Sequence, residues 1–383
     1  MNKKVINSKK RPYQICNRCI MDTTDPDIVF DYDGVCNHCH RYESMLENRL
    51  YRGSEGEIML KKITQAIKAS GKGKEYDCII GVSGGVDSTY VAYLVKQLGI
   101  RPLAIHFDNG WNSELAVSNI EKVLKKLDID LFTYVIDWEE FRELQIAFLK
   151  ASVPDGEIPT DHAINALLFN EASKRGIKYI INGMNFATES ISVPAWAYGH
   201  SDWKYIRNVN RIFGKTKLKE YPHYSLLKLF YFTFYKRIKV VSILNYIEYK
   251  KDTVMDILKN ELDWVYYGGK HYESIYTRFF QSFILPIKFN IDKRRGHLSD
   301  LIHSKQLSRV ASLSEIQNPI ADSNIMKQDK EFVIKKLELT NTEFQEIMDL
   351  PLKTFQCYPN NFNKIVIVKK TVNWLRSRNF YSK

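Results

Sequence analysis

The sequence lacks any apolar run approaching the roughly 20 residues that cross a bilayer. Its first residues, MNKKVINSKKRPYQIC, are basic but lack the apolar centre of a signal peptide. Acidic residues are in the minority, with 44 Asp and Glu against 56 Lys and Arg and a net charge of +12. These features favour a cytoplasmic protein with an anionic partner: nucleic acid, a membrane surface, a nucleotide or a phosphorylated small molecule.

Cysteine is also scarce, with six residues in 383, yet four of them form two C-x2-C pairs. Cys16 and Cys19 make the first pair, and Cys36 and Cys39 make the second. Two such pairs can close four thiolates around one zinc ion, with no open position for chemistry. An iron-sulfur cluster and a disulfide pair remain alternatives, although disulfides fit poorly with a protein that is not secreted. We expect zinc to replace a core that this segment is too small to build.

Apolar strands alternate with amphipathic helices after a polar linker that ends near residue 75. Four segments read as strands: YDCIIGV (76–82), PLAIHF (102–107), LFTYVI (131–136) and IKYIING (177–183). Helical spacing follows each of the first two strands, and further helices are expected at 138–150 and 161–175. This alternation predicts an α/β fold with a parallel sheet, right-handed crossovers and a ligand site at the carboxyl ends of the strands.

The turn SGGVDS, between the first strand and a helix expected from Asp87, has the backbone amides and helix N-terminus that bind phosphate. It lacks the lysine of a Walker A loop, which disfavours ordinary transfer of a γ-phosphate. A glycine turn in which a serine caps the helix is the alternative. The pattern S-G-G-x-D-S after the first parallel strand resembles the loop of the N-type ATP pyrophosphatases, which release pyrophosphate from ATP and transfer AMP.

The superfamily resemblance implies an adenine nucleotide alpha hydrolase-like, Rossmann-like domain that binds ATP and Mg²⁺. By this resemblance the pyrophosphate is bound by Ser83, Gly84, Gly85, Val86 and Ser88, and Asp87 helps to hold magnesium. Asp108 and Asn109, in HFDNG after the second strand, resemble the adenosine-side loop, although D-N-G is also a common turn. INGMNFATES after the fourth strand adds candidates at the same rim: Gly183, Asn185, Thr188 and Glu189.

A larger set of segments is similar to the N-acetyl sugar amidotransferases of bacterial surface-polysaccharide and nonulosonate pathways. The paired cysteines, GVSGGVDS, HFDNGWNS, PTDHAI, NGMNFATES, YPHYSL and GGKHYESIYTRFFQSFILP carry this resemblance over nearly the whole chain. It implies an ATP-dependent conversion of a sugar's acetamido group to an acetamidino group for lipopolysaccharide O-antigen or capsule synthesis. The amide oxygen would be adenylated, and ammonia would then displace AMP. The substrate would be an N-acetyl sugar or sugar nucleotide rather than a nucleic acid.

Ammonia would have to come from elsewhere, because the chain shows no glutaminase signature. Asn2 rather than cysteine follows Met1, Cys78 lies in an expected core strand, and Cys357 has no recognisable base nearby. The family resemblance implies a separate glutaminase subunit, similar to the amidotransferase pair of histidine biosynthesis. A cyclase-like, ammonia-channelling barrel subunit is possible as well.

Substrate contacts are expected from two further segments. In PTDHAIN, Asp161 is a catalytic candidate or a helix N-cap, and His162 is a candidate base for the attacking amine or a surface histidine. A later basic cluster suits a diphosphate or triphosphate and comprises Lys270, His271, Arg278, Lys288, Lys293, Arg294, Arg295 and His297. Within it, Lys270 and Arg278 are the catalytic candidates, whereas Lys288 and Lys293 also fit an exposed basic face.

We divide the chain into a zinc-binding module (1–50), a pyrophosphatase domain (55–210), an aromatic-basic helical insertion (211–265) and a substrate-binding, helical C-terminal region (266–383). The insertion, KEYPHYSLLKLFYFTFYKRIKVVSILNYIEYKKD, could bind nucleic acid or a membrane surface, but helical spacing favours packing on its own domain. At most peripheral membrane association is expected.

Two rival functions follow from the same residues. A zinc-containing tRNA thiolase, or a related tRNA-modifying enzyme of the superfamily, would explain the basic charge and the paired cysteines. It would need further cysteines near the loop or an iron-sulfur cluster, and only Cys78 and Cys357 are left over. A non-catalytic nucleotide-binding scaffold is the third possibility, which an intact loop from Ser83 to Ser88 disfavours.

Overall fold

The computed structural model describes residues 11–269 and 272–377. Within them the chain forms a five-stranded parallel sheet with the order β3-β2-β1-β4-β5. The strands are β1 (Cys78–Gly81), β2 (Pro102–Asp108), β3 (Asp130–Val135), β4 (Tyr179–Asn182) and β5 (Lys239–Ser242). The strand order reverses direction between β1 and β4, and open α/β sheets bind their ligands at such a switch point.

Helices connect and cover the strands. Those of the N-terminal half are α1 (Asn37–Arg49), α2 (Gly53–Ser70), α3 (Val86–Gln97), α4 (Glu114–Leu127), α5 (Trp138–Ala151), α6 (Ile158–Lys174) and α7 (Trp203–Phe213). Those of the C-terminal half are α8 (Leu226–Phe230), α9 (Lys251–Leu262), α10 (Ile275–Phe279), α11 (Leu285–Phe289), α12 (Arg294–His303), α13 (Arg309–Glu315), α14 (Ser323–Lys336), α15 (Asn341–Asp349) and α16 (Phe362–Ser377). Single π-helical turns follow α8 and α10, at Tyr231–Tyr235 and Phe280–Ile284. Among the described residues, none of these helices combines the length and apolar content that a membrane span requires.

Alternating side chains of the central strands build a core on each face of the sheet. Ile79 of β1 packs in the core on the side of α5 and α6, whereas its neighbour Ile80 packs with α3, α4 and α9. Successive strand residues point to opposite faces, so a strand covered on both sides is apolar throughout. The predicted α/β fold, its first four strands and the helices at 138–150 and 161–175 are confirmed by these elements.

The prediction that residues 211–265 form a helical insertion is wrong in one respect. Lys239–Ser242 of this segment pairs in parallel with β4 and becomes the fifth strand, in register from Tyr179 with Lys239 to Asn182 with Ser242. Helix α9 then packs Val254, Leu258 and Leu262 into the core beside α3. The segment is therefore part of the α/β domain and brings its residues to the switch point.

Candidate functional site

The loop between β1 and α3 has the shape that binds an anion. β1 ends at Gly81 and α3 begins at Val86, with Gly85 as an N-cap whose position offers no side-chain acceptor. Gly84 has a φ of +78°, and a Cβ there would lie 2.5 Å from the carbonyl oxygen of Ala116. Only glycine fits, because both its backbone angle and its closeness to α4 exclude a side chain. The backbone amides at the N-terminus of α3 are therefore directed toward the edge of the sheet.

Two serines fix the loop from inside. The Ser83 amide donates to the Ser88 hydroxyl at 3.2 Å, the two hydroxyls lie 3.1 Å apart, and the Gly85 amide donates to the Ser83 hydroxyl at 3.3 Å. The Trp264 indole N–H donates to the Gly84 carbonyl at 3.0 Å from outside. The six predicted loop residues are thus brought together in one preorganised turn.

Two tyrosines that the sequence reading missed contact this loop. The Tyr249 hydroxyl donates to the Asp87 carboxylate, and the Tyr267 hydroxyl accepts a hydrogen bond of 3.2 Å from the Val86 amide. Burial raises the pKa of both hydroxyls, with Asp87 adding to the effect on Tyr249 and Glu273 to that on Tyr267. Both therefore stay protonated at neutral pH, and Asp87 is held in place in the first turn of α3.

The end of β4 forms the opposite wall of the switch point. A Cβ on Gly183 would lie 3.0 Å from the Asp87 carbonyl carbon and 3.1 Å from the Ser88 nitrogen, so glycine allows this strand to approach the loop. Asn185 is buried, and its side-chain oxygen accepts hydrogen bonds of 2.9 and 3.0 Å from the Thr188 amide and hydroxyl. The structure thus brings Gly183 to the loop and uses Asn185 to shape the turn that carries Thr188 and Glu189.

Asp108 and Asn109 lie at the end of β2, on the other side of the loop's strand. Their side chains accept hydrogen bonds from the backbone two residues on, Asp108 from Gly110 at 2.9 Å and Asn109 from Trp111 at 3.1 Å. This is the geometry of ordinary Asx turns. Neither residue lines the cavities described next, so their predicted adenosine-side role stays a prediction.

A small cavity of about 180 Å³ opens at the loop, and a larger one of about 750 Å³ lies beside it. The small cavity is lined by Ser83, Gly85, Val86, Asp87 and Ser88, and also by Gly183, Tyr249, Tyr267 and Glu273. Five residues line both cavities: Thr188, Glu189, Lys251, Gly269 and His297. The larger volume lies in the range of small-molecule sites, and its shared residues place it next to the loop cavity.

Basic residues of the larger cavity form ion pairs with acidic side chains. Arg278 makes a bidentate pair with Asp329, with both nitrogen–oxygen distances at 2.7 Å, and lies over the Tyr272 ring. Lys293 pairs with Glu157 at 3.1 Å. The predicted catalytic Arg278 therefore faces the cavity, but its charge is already shared with a buried carboxylate.

Other members of the basic cluster have structural contacts. Lys288 donates to carbonyls at the C-terminal end of α15, including those of Met348 and Leu350. Its charge therefore stabilises a helix end and is not part of an exposed basic face. Arg295 pairs with the buried Asp22 at 3.0 Å. Lys270 and His271 lie outside the described residues, so the catalytic prediction for Lys270 stays a prediction.

His162 is placed in the core and not at the loop. Its Nδ1 lies 2.6 Å from the His200 carbonyl oxygen and its Nε2 accepts from the Tyr224 amide at 3.3 Å, so both nitrogens are engaged by a neutral ring. Burial lowers its pKa to about 4. Neither His162 nor the exposed Asp161 lines the cavities, and α6 begins after Glu157, which leaves Asp161 in its first turn and not at its N-cap. The surface-histidine alternative for His162 and the N-cap alternative for Asp161 are therefore wrong, whereas the catalytic roles of the two residues stay predictions.

The four N-terminal cysteines converge on one point. Their sulfur atoms all lie within 4.8 Å of one another, and three sulfur–sulfur distances are 3.6, 3.7 and 3.8 Å. Four thiolates about 2.3 Å from a tetrahedral zinc ion stand about 3.8 Å apart. An iron-sulfur cluster would place sulfide between the thiolates and spread them further. The four residues thus fit a single ion, and backbone amides of Arg18, Met21 and Cys36 add hydrogen bonds to their sulfurs.

The cysteine module is fixed to the C-terminal region. Arg309 of α13 donates to the carbonyls of Cys16 and Cys19 at 2.7 and 3.0 Å, and His303 of α12 places Nε2 3.2 Å from the Cys39 sulfur. α12 and α13 also supply His297 and Ala311 to the larger cavity. The module therefore supports one wall of that cavity and stays away from the loop.

Comparisons with known proteins agree with this geometry. The family described as "Queuosine biosynthesis protein QueC" matches residues 77–185, which hold the loop and β1 to β4. The family "LPS biosynthesis protein WbpG-like, C-terminal domain" matches residues 273–372, which line much of the larger cavity. These two matches support membership of the N-type ATP pyrophosphatase superfamily, with a C-terminal region related to the WbpG-like proteins. The Ser83–Ser88 turn is accordingly called the pyrophosphatase loop below.

The curated relatives of this chain either have low sequence identity or match only a short part of it. An uncharacterized protein of Methanocaldococcus jannaschii is 24% identical over 56% of this chain and 72% of its own length. A tRNA-specific 2-thiouridylase of Desulfosudis oleivorans is 42% identical over 14% of this chain, and a glutamine-hydrolyzing GMP synthase of Pyrobaculum aerophilum is 37% identical over 22%. The chain spans only 15% and 16% of the length of these two enzymes.

Solved structures with a similar arrangement include two synthetases. NMN synthetase of Francisella tularensis has a TM-score of 0.30 and 14% identity, with 55% of this chain and 88% of that chain covered. NH3-dependent NAD synthetase of Campylobacter jejuni has a TM-score of 0.28 and 13% identity, with 78% and 98% covered.

Proposed function

We propose that this pyrophosphatase is an ATP-dependent amidotransferase that converts an acetamido group of a sugar or sugar nucleotide to an acetamidino group. The observation that carries the proposal is that Glu189, Lys251 and His297 line both cavities, which therefore lie side by side. One cavity is built by the pyrophosphatase loop, and the other is walled by the region that matches the WbpG-like proteins. A sugar amide bound in the second would meet the α-phosphate of ATP bound at the first.

The chemistry needs both cavities. The amide oxygen attacks the α-phosphorus of ATP, the bond to pyrophosphate breaks, and an O-adenylated imidate forms. Ammonia then adds to the imidate carbon, loses a proton, and displaces AMP, which carries away the former amide oxygen. The N-terminus of α3 and the hydroxyls of Ser83 and Ser88 would bind the departing pyrophosphate, where fixed donors stabilise developing charge.

Magnesium is part of the proposal, and Asp87 is the residue that would hold it. Its carboxylate lines the loop cavity and is oriented by the Tyr249 hydroxyl, and carboxylate oxygens are ligands that Mg²⁺ prefers. When bound, the ion would offset charge on the phosphates. The protein residues supply the orientation: Tyr249 fixes the carboxylate, and Gly183 lets β4 close against it.

The charges of the larger cavity support a sugar over a nucleic acid. Among the described residues, four cations line it, namely Lys251, Arg278, Lys293 and Arg294, and four anions balance them, namely Glu189, Asp292, Asp300 and Glu315. A nucleic-acid channel is expected to be strongly positive. A balanced lining with Trp196, Tyr266 and Tyr272 instead suits a hydroxyl-rich ring.

Ammonia is proposed to come from a separate glutaminase subunit. Of the two cysteines outside the metal module, Cys78 is fully buried in β1, where burial raises the pKa of its thiol, and Cys357 lies in an exposed turn. Neither is placed as a nucleophile beside the cavities. Turnover with ammonium salts but not with glutamine alone would support this; glutamine use by the pure chain would refute it.

Pyrophosphate release tests the function. The chain is supplied with ATP, Mg²⁺ and ammonium, together with UDP- and CMP-linked N-acetyl sugars or, in parallel, bulk tRNA. We expect release that depends on one of the sugars. Release that depends on tRNA would replace the proposal with the RNA-modifying alternative, for which the thiouridylase match is the main support.

A further inference from the structure

An exposed apolar stripe runs along the segment Leu226–Tyr235, which α8 and the following π-helical turn form together. Its members are Leu227, Phe230, Tyr231, Phe234 and Tyr235, with exposed fractions of 83%, 60%, 41%, 36% and 75%. These positions recur at i, i+3, i+4, i+7 and i+8, the spacing of one helix face. We call them the aromatic face.

The aromatic face points away from the core. Phe232 is 2% exposed and packs on Phe169 of α6, so the opposite side of the same segment already anchors it to the domain. On the outer side, the rings of Phe230 and Phe234 lie tilted against each other with centroids 4.4 Å apart, and Tyr231 stacks with Tyr235 at 5.1 Å. An ordinary surface helix places polar residues there, so this face is built to contact something apolar.

Positive charge surrounds the aromatic face. The sequence has no acidic residue between Glu220 and Glu248, whereas Lys228, Lys236, Arg237 and Lys239 fall in this interval. In space, Lys178 donates to the Lys236 carbonyl at 2.7 Å. The pKa of Lys178 is lowered, first by burial and then by the charges of Lys74, Lys236 and Arg237. The surroundings thus complement a negatively charged surface.

We propose that the aromatic face docks this protein on an anionic lipid bilayer. Leucine and aromatic rings would enter the boundary between headgroups and acyl chains, and the surrounding lysines and arginine would contact the headgroup phosphates. Aliphatic Leu227 and the half-exposed Val240 of β5 add apolar area that base stacking on a nucleic acid would not use. The proposal stands on these residues and is independent of the amidotransferase function.

Vesicle co-sedimentation tests the docking. The full chain is mixed with vesicles of phosphatidylcholine alone or with about a third phosphatidylglycerol. We expect binding to the anionic vesicles, weakened by salt, and at least tenfold weaker binding for Leu227→Ser/Phe230→Ser. A control variant, Ile287→Ser/Val310→Ser, removes two exposed apolar side chains elsewhere, at 64% and 78% exposure, and should bind like the wild type.

The charge requirement is tested by Lys236→Gln/Lys239→Gln, which should bind anionic vesicles more weakly and lose part of the salt dependence. Absence of binding to anionic vesicles, or equal binding of the Leu227→Ser/Phe230→Ser variant, would overturn the proposal. The proposal would also be overturned if the chain bound no vesicles and instead bound tRNA, or associated with itself, in a way that Leu227→Ser/Phe230→Ser abolishes.

Discussion

The Tyr249 hydroxyl donates a hydrogen bond to the Asp87 carboxylate across 162 positions of sequence. It ties the residue just before α9 to the first turn of α3, where the pyrophosphatase loop ends. Since Tyr249 is buried and protonated, it orients the carboxylate without neutralising it. Loop chemistry should therefore depend on both residues, in different ways.

For Asp87→Asn we expect loss of pyrophosphate release by about a thousandfold or more with an intact fold, because the carboxylate charge is removed. Tyr249→Phe should lower the rate about 10- to 100-fold and raise the Mg²⁺ concentration needed for half-maximal rate. Tyr93→Phe, which removes a surface hydrogen bond to Glu261, is the matched control. Wild-type turnover of Asp87→Asn would remove that residue from the mechanism.

Gly183→Ala should weaken ATP binding, because the added Cβ would press on the backbone of Asp87 and Ser88 at 3.0 to 3.1 Å. We expect at least a tenfold rise in the dissociation constant, measured by calorimetry with a non-hydrolysable ATP analogue. Gly81→Ala is the control: its Cβ would meet only Leu168, at 3.5 Å or more. Equal affinities for the two variants would contradict the close approach of β4.

Metal analysis should find one zinc ion per chain. Cys16→Ser should lose it and unfold at a temperature at least about 5 °C lower, because the ion replaces an apolar core in this module. Cys357→Ser, at the exposed cysteine, should keep both zinc and stability. The Cys16 variant should also raise the KM for the sugar more than that for ATP, since the module braces α12 and α13. Zinc-free protein of full stability would contradict this account.

His162 gives a pH prediction for stability. Its folded pKa of about 4 lies below the ordinary histidine pKa of 6.5, so the unfolded chain binds the proton more readily. The free energy of unfolding should fall as pH drops from about 6.5 to about 4, by up to about 3 kcal/mol from this group. Denaturant unfolding measured at several pH values gives the free energy of unfolding as a function of pH. This free energy should change less with pH in His162→Gln than in the wild type or in His223→Gln. An unchanged slope would contradict burial of the neutral ring.

The sequence predicted what local patterns encode. Strands such as Cys78–Gly81 are buried on both faces and so appear as short apolar runs, and the loop after them has a recognisable spacing. β5 escaped because an edge strand with exposed Lys239 and Val240 shows no such run. The buried position of His162 was missed because nothing in PTDHAIN marks a histidine whose two ring nitrogens contact backbone groups.

The contacts of Tyr249 and Tyr267 could not be predicted because they join segments more than 160 residues apart. Nothing in YIEYKKD or VYYGGK marks a tyrosine that faces a phosphate loop. The position of the cysteine module could not be predicted for the same reason. Arg309 and His303 contact it from helices that show no metal-binding pattern. Tertiary placement, and not residue type, assigned these roles.

The most direct test of the amidotransferase account is the fate of the amide oxygen. The N-acetyl sugar that supports pyrophosphate release is labelled with ¹⁸O at its acetamido oxygen and incubated with the chain, ATP, Mg²⁺ and ammonium. The account predicts ¹⁸O in the phosphate of AMP, and a sugar product about 1 Da lighter than the unlabelled substrate as NH replaces oxygen. AMP without the label, or an unchanged sugar, would contradict adenylation of the amide.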